Sequence, residues 1–411
     1  MTVIDPTEQH GHSASTPRVP HVLFVDDNEQ VDPAELQAIL GPLGLNVRVR
    51  HPEETVRLDL DWSDLVVVDY FLSDWRERDE TESVARSPHN GLAAIATMRS
   101  VLLPALGGRG PGALPPRSVA FALWSSNLKE ATFDLPEVVL PHVFSRENNL
   151  EWAFRRDDLL HEHGGRQIAI LAHAVASLPE RWPPRHSDAE HQLLSMLGLN
   201  VAGDNGTEPL DWHGEASKDV LGCRPPMHEL SERSHGLALL RWLLHRILPY
   251  PCFLLDERQV CARLRVDSLA GGTRSDASLT ELLEPYLYTG VLAEFDGPRW
   301  WRSGVEDWIF TVTNGQSGNP RAVAEVALSY GGTTSRQWLR PVIVINGAFQ
   351  RSTEFAEVGT TVRVRPDDWP VFADDAFALL NDAAEDPRLR ALVEPADRSL
   401  LQPAIVPEGP V

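Results

Sequence analysis

Four apolar runs in the first 150 residues constrain the fold most strongly, because each run is continuous and each is followed by polar or charged side chains. The runs cover residues 21–25, 65–68, 119–124 and 138–144. Continuous apolar runs of this length are typical of parallel strands that are buried on both faces of a sheet. Residues 46–50 instead alternate apolar and polar side chains, which predicts a strand at the edge of the same sheet.

Helical patterns lie between these runs, at residues 33–40 and 91–99. Strands that alternate with helices are typical of an α/β domain with a doubly wound parallel sheet. We therefore predict a doubly wound, five-stranded parallel sheet over residues 19–155. The remainder of the chain predicts a mainly helical α+β region, with short strands at 342–346 and 360–365.

The polar residues that follow the apolar runs are predicted to meet at one edge of this sheet, where doubly wound folds bind their ligands. They are Asp26 and Asp27, Asp69, Ser125, and Arg146. Clustered carboxylates repel one another unless a cation neutralises them, and Mg²⁺ is a hard divalent cation that prefers oxygen ligands. A carboxylate beside such an ion is a candidate phosphoryl acceptor, and a hydroxyl and a guanidinium beside it would contact the phosphoryl oxygens.

In the order of these motifs, the N-terminal region resembles the receiver domain of two-component response regulators. The resemblance covers roughly residues 20–155 and rests on the pair Asp26-Asp27, on Asp69 in the segment DLVVVDYFL, on Ser125-Ser126, and on the helix that begins after Asn90. It implies that Asp69 is the phosphoacceptor, and that Ser125 and Arg146 contact the phosphoryl group. It also implies a Mg²⁺ ion held by Asp26, Asp27, Asp69 and the backbone carbonyl of Phe71.

Arg146 stands where the receiver family has a lysine, and the two side chains are not interchangeable at a phosphate site. A second interpretation therefore stays open, in which the region is a pseudo-receiver that docks onto other proteins without being phosphorylated. Both interpretations predict a signalling protein whose partner is a protein, either a sensor kinase or a multi-component effector system. Neither predicts an enzyme, beyond phosphorylation and dephosphorylation of its own aspartate.

The rest of the chain is divided by its composition and by its turn residues. We predict a disordered tail over 1–18, a helical connector over 156–200, a mainly helical domain over 201–335 and a small α+β segment over 336–411. The detailed patterns predict a long helical stretch over 149–178 that is broken at Gly164-Gly165, a hairpin over 291–302 and a helix over 374–382. Helices and a hairpin within 229–302 leave open a winged helix, and with it a transcription regulator. The charged insertion at 73–88 predicts a lid or a docking loop.

Charge and composition argue against several classes of function. The formal net charge is −22, which disfavours binding to nucleic acid. No apolar run is long enough to span a membrane, and the polar N-terminus has no apolar core of a secretory signal, so we expect a cytoplasmic location. Three cysteines without a Cys-x-x-Cys pair are too few for a disulfide framework or a structural zinc site.

Overall fold

The structure is a computed structural model, and part of the chain is described. The described residues are 18–28, 31–72, 75, 88–102, 118–126, 128–129, 135–159, 162–199, 211–233, 236–269 and 278–401. Nearly all of the expected N-terminal tail and, apart from Trp75 and Pro88, the expected lid at 73–88 lie outside these residues. Among the described residues, no helix is long and apolar enough to cross a membrane.

The N-terminal region contains a five-stranded sheet in which every neighbouring pair of strands is parallel. Its strands are β1 (His21–Val25), β2 (Asn46–Arg50), β3 (Leu65–Asp69), β4 (Ala120–Ser125) and β5 (Trp152–Arg155). Their spatial order is β2-β1-β3-β4-β5, with Val22 opposite both Val47 and Leu65. The predicted α/β class and the predicted parallel sheet are therefore confirmed, including the edge strand at 46–50.

Helices cover both faces of this sheet because alternate residues of each strand point to opposite sides. They are α1 (Pro33–Leu40), α2 (Arg57–Trp62), α3 (Gly91–Leu102), α4 (Leu140–Glu147), α5 (Arg156–Leu159) and α6 (Glu162–Ser177). Val22 and Phe24 of β1 belong to the core shared with α1 and α6. Leu23 and Val25 belong to the core shared with α2, α3 and α4. The side chain of Asp32 caps α1 by accepting a hydrogen bond from the Ala34 amide at 2.8 Å.

The prediction of a strand over 138–144 is wrong, because these residues form the start of α4. Pro141 lies in the first turn of α4, where its missing amide hydrogen costs nothing, whereas in a central strand it would remove a ladder hydrogen bond. Leu140 and Phe144 are four residues apart and are buried on the same side of the helix. The fifth strand is instead β5. The helical stretch predicted over 149–178 is divided into β5, α5 and α6.

The middle of the chain is mainly helical. Its helices are α7 (His186–Met196), α8 (Asp211–Gly222), α9 (Met227–Arg233), α10 (Leu237–Trp242), which continues as a π-helical turn at Leu243–Ile247, α11 (Glu257–Leu264), α12 (Leu279–Leu283), α13 (Arg302–Val312) and α14 (Pro320–Ser329). The predicted hairpin over 291–302 is wrong. Strand β7 (Arg299–Trp301) instead pairs antiparallel with the distant β6 (Leu254–Asp256), and Leu292 and Glu294 adopt positive φ angles in a turn.

The C-terminal part contains a second sheet with the order β10-β11-β8-β9. Its strands are β8 (Pro341–Ile345), β9 (Arg351–Glu357), β10 (Thr361–Val364) and β11 (Ala376–Leu379), and they are followed by α15 (Leu380–Glu385) and α16 (Pro387–Leu392). The predicted strands at 342–346 and 360–365 are confirmed as β8 and β10. The predicted helix over 374–382 is wrong in its first half, because Ala376 and Ala378 are buried at the period of two of a strand.

The N-terminal sheet and the helical middle share one apolar core. The cluster on the α1 side of the sheet continues through Ile168 and Leu171 of α6 to Leu240 of α10 and Trp301 of β7. A buried ion pair also joins the two parts. Glu151, which precedes β5, is fully buried, and its carboxylate lies 2.6 Å from the Arg241 guanidinium of α10.

Candidate functional site

Three carboxylates meet at the carboxyl edge of the N-terminal sheet. Asp26 and Asp27 follow β1, and Asp69 is the last residue of the neighbouring β3. One carboxylate oxygen from each residue lies within 4.8 Å of the others, and all three side chains are buried. The structure therefore brings together the three acidic residues that the sequence analysis singled out.

Backbone amides hold two of these carboxylates in place. The Asn28 amide donates to Asp26 Oδ1 at 2.8 Å, and the Trp75 amide donates to Asp27 Oδ2 at 2.8 Å. The indole of Trp75 is buried, and its Nε1 donates to Glu53 at 2.7 Å. Trp75 is thus anchored beside Asp27 by both its backbone amide and its indole.

Asp69 lies in the least favourable environment for a charge. Burial of its carboxyl group, together with the negative charge of Asp26, raises its pKa from 3.8 to about 7. The positive charge of Arg156 and a 3.4 Å hydrogen bond from the Phe71 amide oppose this rise. Near neutral pH the carboxyl group of Asp69 therefore exchanges readily between its charged and neutral forms.

Among the described residues, the cation that pairs with these carboxylates is Arg156, whereas Arg146 does not follow the fifth strand as predicted. Arg156 begins α5 directly after β5, and its guanidinium lies 3.4 Å from Asp26 Oδ2 and 3.6 Å from Asp69 Oδ2. The same guanidinium lies 4.7 Å from the ring centroid of Trp124 at the end of β4, in a cation–π contact. Arg146 is in the last turn of α4 and pairs with its neighbour Glu147 at 3.1 Å. The adjacent basic residues Arg155 and Arg156 after a short apolar segment were the sequence signal for the correct position.

Ser125 lies beside the acidic cluster in the sheet, and Phe71 lies close to it in the chain. Ser125 is the last residue of β4, next to β3, and is fully buried. Phe71 follows Asp69 by two residues and forms a bridge to Asn90, just before α3 begins. The role of the Ser125 hydroxyl at a phosphoryl group and of the Phe71 carbonyl at a metal ion stay predictions.

Gly91 lets α3 begin against the strand that carries Asp69. A Cβ atom at position 91 would lie 2.2 Å from the backbone oxygen of Asp69 and 2.7 Å from Leu123 Cδ2. A backbone oxygen in a central strand cannot move aside as the end of a flexible side chain can. Gly91 is therefore required, because α3 packs closely on the strand that carries Asp69.

We expect Gly91→Ala to destabilise the fold by about 3 kcal/mol, because the added methyl group must displace a buried strand or the helix packed on it. Urea unfolding followed by tryptophan fluorescence measures this change. Gly214→Ala is the matched control, since Gly214 lies inside α8 and a Cβ atom there meets nothing within 4 Å. The control should be neutral or stabilising by up to about 1 kcal/mol, and an equal loss in both variants would contradict the packing argument.

The donor set fits a hard divalent cation. Carboxylate oxygens are preferred ligands of Mg²⁺, whose opposite ligands are about 4.2 Å apart in octahedral geometry. One carboxylate oxygen from each of the three residues lies within 4.8 Å of the other two, so the three can reach one ion. A cation there would relieve the repulsion that raises the pKa of Asp69. The cluster can therefore hold a metal ion.

No family model, no curated protein and no solved structure matches this chain.

Proposed function

We propose that the chain is a regulatory protein whose N-terminal part works as a divergent receiver domain, with Asp69 as phosphoacceptor and Mg²⁺ at Asp26 and Asp27. The observation that carries this proposal is the meeting of three buried carboxylates and Arg156 at the carboxyl edge of the sheet. The strand order β2-β1-β3-β4-β5 supports it, because flavodoxin-like doubly wound sheets have this order and bind ligands at that edge.

The proposed chemistry is transfer of a phosphoryl group to a carboxylate. An Asp69 oxygen attacks the phosphorus of a donor, the bond from phosphorus to the donor's leaving group breaks, and an acyl phosphate forms on Asp69. Bound Mg²⁺ would supply positive charge for the phosphoryl oxygens. Arg156 already lies 3.6 Å from Asp69, and it would move from that carboxylate to the new phosphoryl oxygens. Its contact with Asp26 would change at the same time.

Through α5 and α6, Arg156 is joined to the core that the sheet shares with the helical middle. A change in the position of Arg156 would therefore reach the C-terminal two thirds of the chain, which we propose as the region read by a protein partner. The donor would be a sensor kinase or a small acyl phosphate.

We expect acetyl phosphate with Mg²⁺ to add one phosphoryl group to the wild-type protein, detected by intact-protein mass spectrometry. Asp69→Asn should abolish this addition, whereas the control Asp61→Asn, at an exposed aspartate on α2, should not. Arg156→Lys should speed the addition, because a compact ammonium fits between an acceptor carboxylate and a phosphoryl group better than a planar guanidinium. Beryllofluoride with Mg²⁺ should change the fluorescence of the wild type, since Trp75 and Trp124 contact residues of the cluster.

One observation favours a second function, that of a docking subunit without phosphorylation. The cluster already has internal partners, namely the Trp75 amide at Asp27 and the Arg156 guanidinium at Asp26 and Asp69. This interpretation is supported if neither the wild type nor Arg156→Lys gains a phosphoryl group and beryllofluoride changes nothing. Asp69→Asn should then retain cellular function. A transcription regulator has no such support, because the described residues between 229 and 302 do not form the hairpin of a winged helix.

A further inference from the structure

A second polar cavity lies far along the chain from the acidic cluster, in the C-terminal half. It has a volume of about 750 Å³ and lies between α11, the first residues of β8 and the segment 373–377. This volume is within the range of cavities that bind small molecules. Four arginines line it, namely Arg263, Arg265, Arg340 and Arg351. The same lining holds three carboxylates, those of Glu306, Asp374 and Asp375, so the charge that a ligand meets depends on which arginines are paired.

Two of the four arginines are neutralised by carboxylates of the cavity wall or close to it. Arg263 pairs with Glu306 at 2.8 Å and with Asp374 at 3.2 Å. Arg351 pairs with Asp256 and also donates to the Pro249 carbonyl at 2.9 Å. These contacts engage Glu306, Asp374 and Asp256, and none of the three forms an ion pair with the remaining two arginines.

Arg265 and Arg340 are the two that form no ion pair. Among the described residues, neither guanidinium is paired with a carboxylate within 4.0 Å, and the Nε atom of Arg265 is buried with no hydrogen-bond partner. Burial and, to a lesser degree, the positive charge of Arg340 lower the pKa of Arg265, whereas the negative charge of Glu357 opposes this effect. The Glu357 carboxylate is held by the Leu339 and Arg340 amides, which donate to it at 2.8 and 2.9 Å.

The backbone of Arg265 is held in an unusual conformation. Arg265 caps the C-terminus of α11 with φ of 62° and ψ of 33°, a left-handed conformation that favours glycine or asparagine. A non-glycine residue kept in this region has an energetic cost, and such residues cluster at functional sites. Here the conformation places an arginine, rather than a glycine, at the cavity wall.

The lining also has apolar parts. Leu255, Ile309 and Ile345 are buried side chains that line the cavity, and the rings of Trp369 and Phe377 also line it. A ligand that fits this lining has an anionic group for the arginines and an apolar or flat organic part for these side chains. Phosphate is the anion that a pair of guanidinium groups contacts most effectively, through several charge-assisted hydrogen bonds.

We propose that this cavity binds a phosphorylated small molecule with a flat or apolar body, of the size of a nucleoside monophosphate, with its phosphate between Arg265 and Arg340. The ligand supplies an anionic partner for two guanidinium groups that form no ion pair, and a hydrogen-bond partner for the buried Nε of Arg265. The site does not depend on the acidic cluster of the N-terminal sheet. It gives the C-terminal region an input of its own.

The probe is adenosine 5′-monophosphate, titrated into the full chain by calorimetry with EDTA present, so that no metal ion can recruit phosphate to the aspartates. We expect saturable binding that weakens as salt is added, much weaker binding of adenosine, and competition by inorganic phosphate. Arg265→Asn, which retains a residue suited to the left-handed backbone, and Arg340→Ala, at an exposed side chain, should each weaken binding by about tenfold or more. Arg321→Ala is the control on the exposed surface of α14 and should bind as the wild type does.

Three results would overturn the proposal. They are the absence of saturable binding of adenosine monophosphate and of phosphate at millimolar concentrations, equal binding of adenosine and its monophosphate, and wild-type affinity in Arg340→Ala. Because Arg340 is exposed, its variant tests the site even if Arg265→Asn does not fold. Unchanged binding in Asp69→Asn is expected, and lost binding there would assign the phosphate to the acidic cluster instead.

Discussion

Arg241→Ala is expected to destabilise the protein by about 3–5 kcal/mol, the cost of leaving a buried carboxylate without its counter-charge. The carboxylate is that of Glu151, which is fully buried between the N-terminal sheet and α10. Arg241 Nε donates to it at 2.7 Å, and the Phe121 amide of β4 donates at 2.6 Å. Without the Arg241 guanidinium, the Phe121 amide is the hydrogen-bond donor that remains for this carboxylate among the described residues. The Glu151 carboxyl group must then be protonated, or the sheet and α10 must separate.

Urea unfolding at pH 7 measures this loss, and two further variants show its origin. Adding Glu151→Gln to Arg241→Ala should recover a large part of the stability, because the amide retains a hydrogen-bond acceptor for Phe121 and carries no charge. Lys218→Ala removes an exposed pair with Glu215 of similar length, 2.6 Å, and should cost less than about 1 kcal/mol. If Arg241→Ala were no more costly than Lys218→Ala, the buried pair would not hold the two parts together.

Asp69→Asn is expected to stabilise the protein by about 4 kcal/mol above pH 7, by less than half of that amount at pH 5, and to have little effect below pH 4. In the folded state the pKa of Asp69 is about 7, against 3.8 for an unperturbed aspartate. Between these two values the folded protein binds more protons at this site than the unfolded chain does. The contribution of Asp69 to stability therefore falls as pH rises from about 4 to about 7, and it is least favourable above pH 7. Asparagine resembles the protonated side chain and does not titrate.

Thermal unfolding of both proteins at pH 5 and pH 8, without divalent ions, measures this difference. Asp61→Asn is the control, since Asp61 is about half exposed and pairs with Arg57 within α2. Adding Mg²⁺ at pH 8 should stabilise the wild type, because the ion neutralises the charged carboxylate of Asp69. It should affect Asp69→Asn much less, because asparagine carries no charge. Stability differences that are the same at pH 5 and pH 8 would show that burial and Asp26 do not raise the pKa of Asp69.

The sequence was most informative where strands are central and local patterns are strong. Strands β1, β3 and β4 are almost entirely buried, so their continuous apolar runs predicted both the sheet and the position of Asp26, Asp27 and Asp69. Strand β5 was missed because it has only two buried residues, Ala153 and Phe154, while the longer apolar run before it is an amphipathic helix. This error places Arg146, instead of Arg156, at the predicted site.

Pairing between distant segments left no local signal. Strand β7 resembled half of a hairpin around Asp296-Gly297, yet its partner β6 has three residues and lies more than forty residues earlier in the chain. The hydrogen bond from the Trp75 amide to Asp27 and the pairing of Glu151 with Arg241 depend likewise on tertiary contacts. Tryptophan, aspartate, glutamate and arginine occur throughout the chain. Composition and spacing therefore could not show which of these residues form the two contacts.

The continuous core of the sheet and the helical middle limits how this chain can be rearranged by recombination. Helix α6 contributes Ile168 and Leu171 to the same cluster as Val22 and Phe24 on one side and Leu240 on the other. A crossover at residue 155 would divide that cluster and separate Glu151 from Arg241. The N-terminal unit is consequently a poor candidate for exchange with another sheet of the same topology. We expect the N-terminal sheet and the helices packed against it to have diverged together during evolution, as one inherited unit.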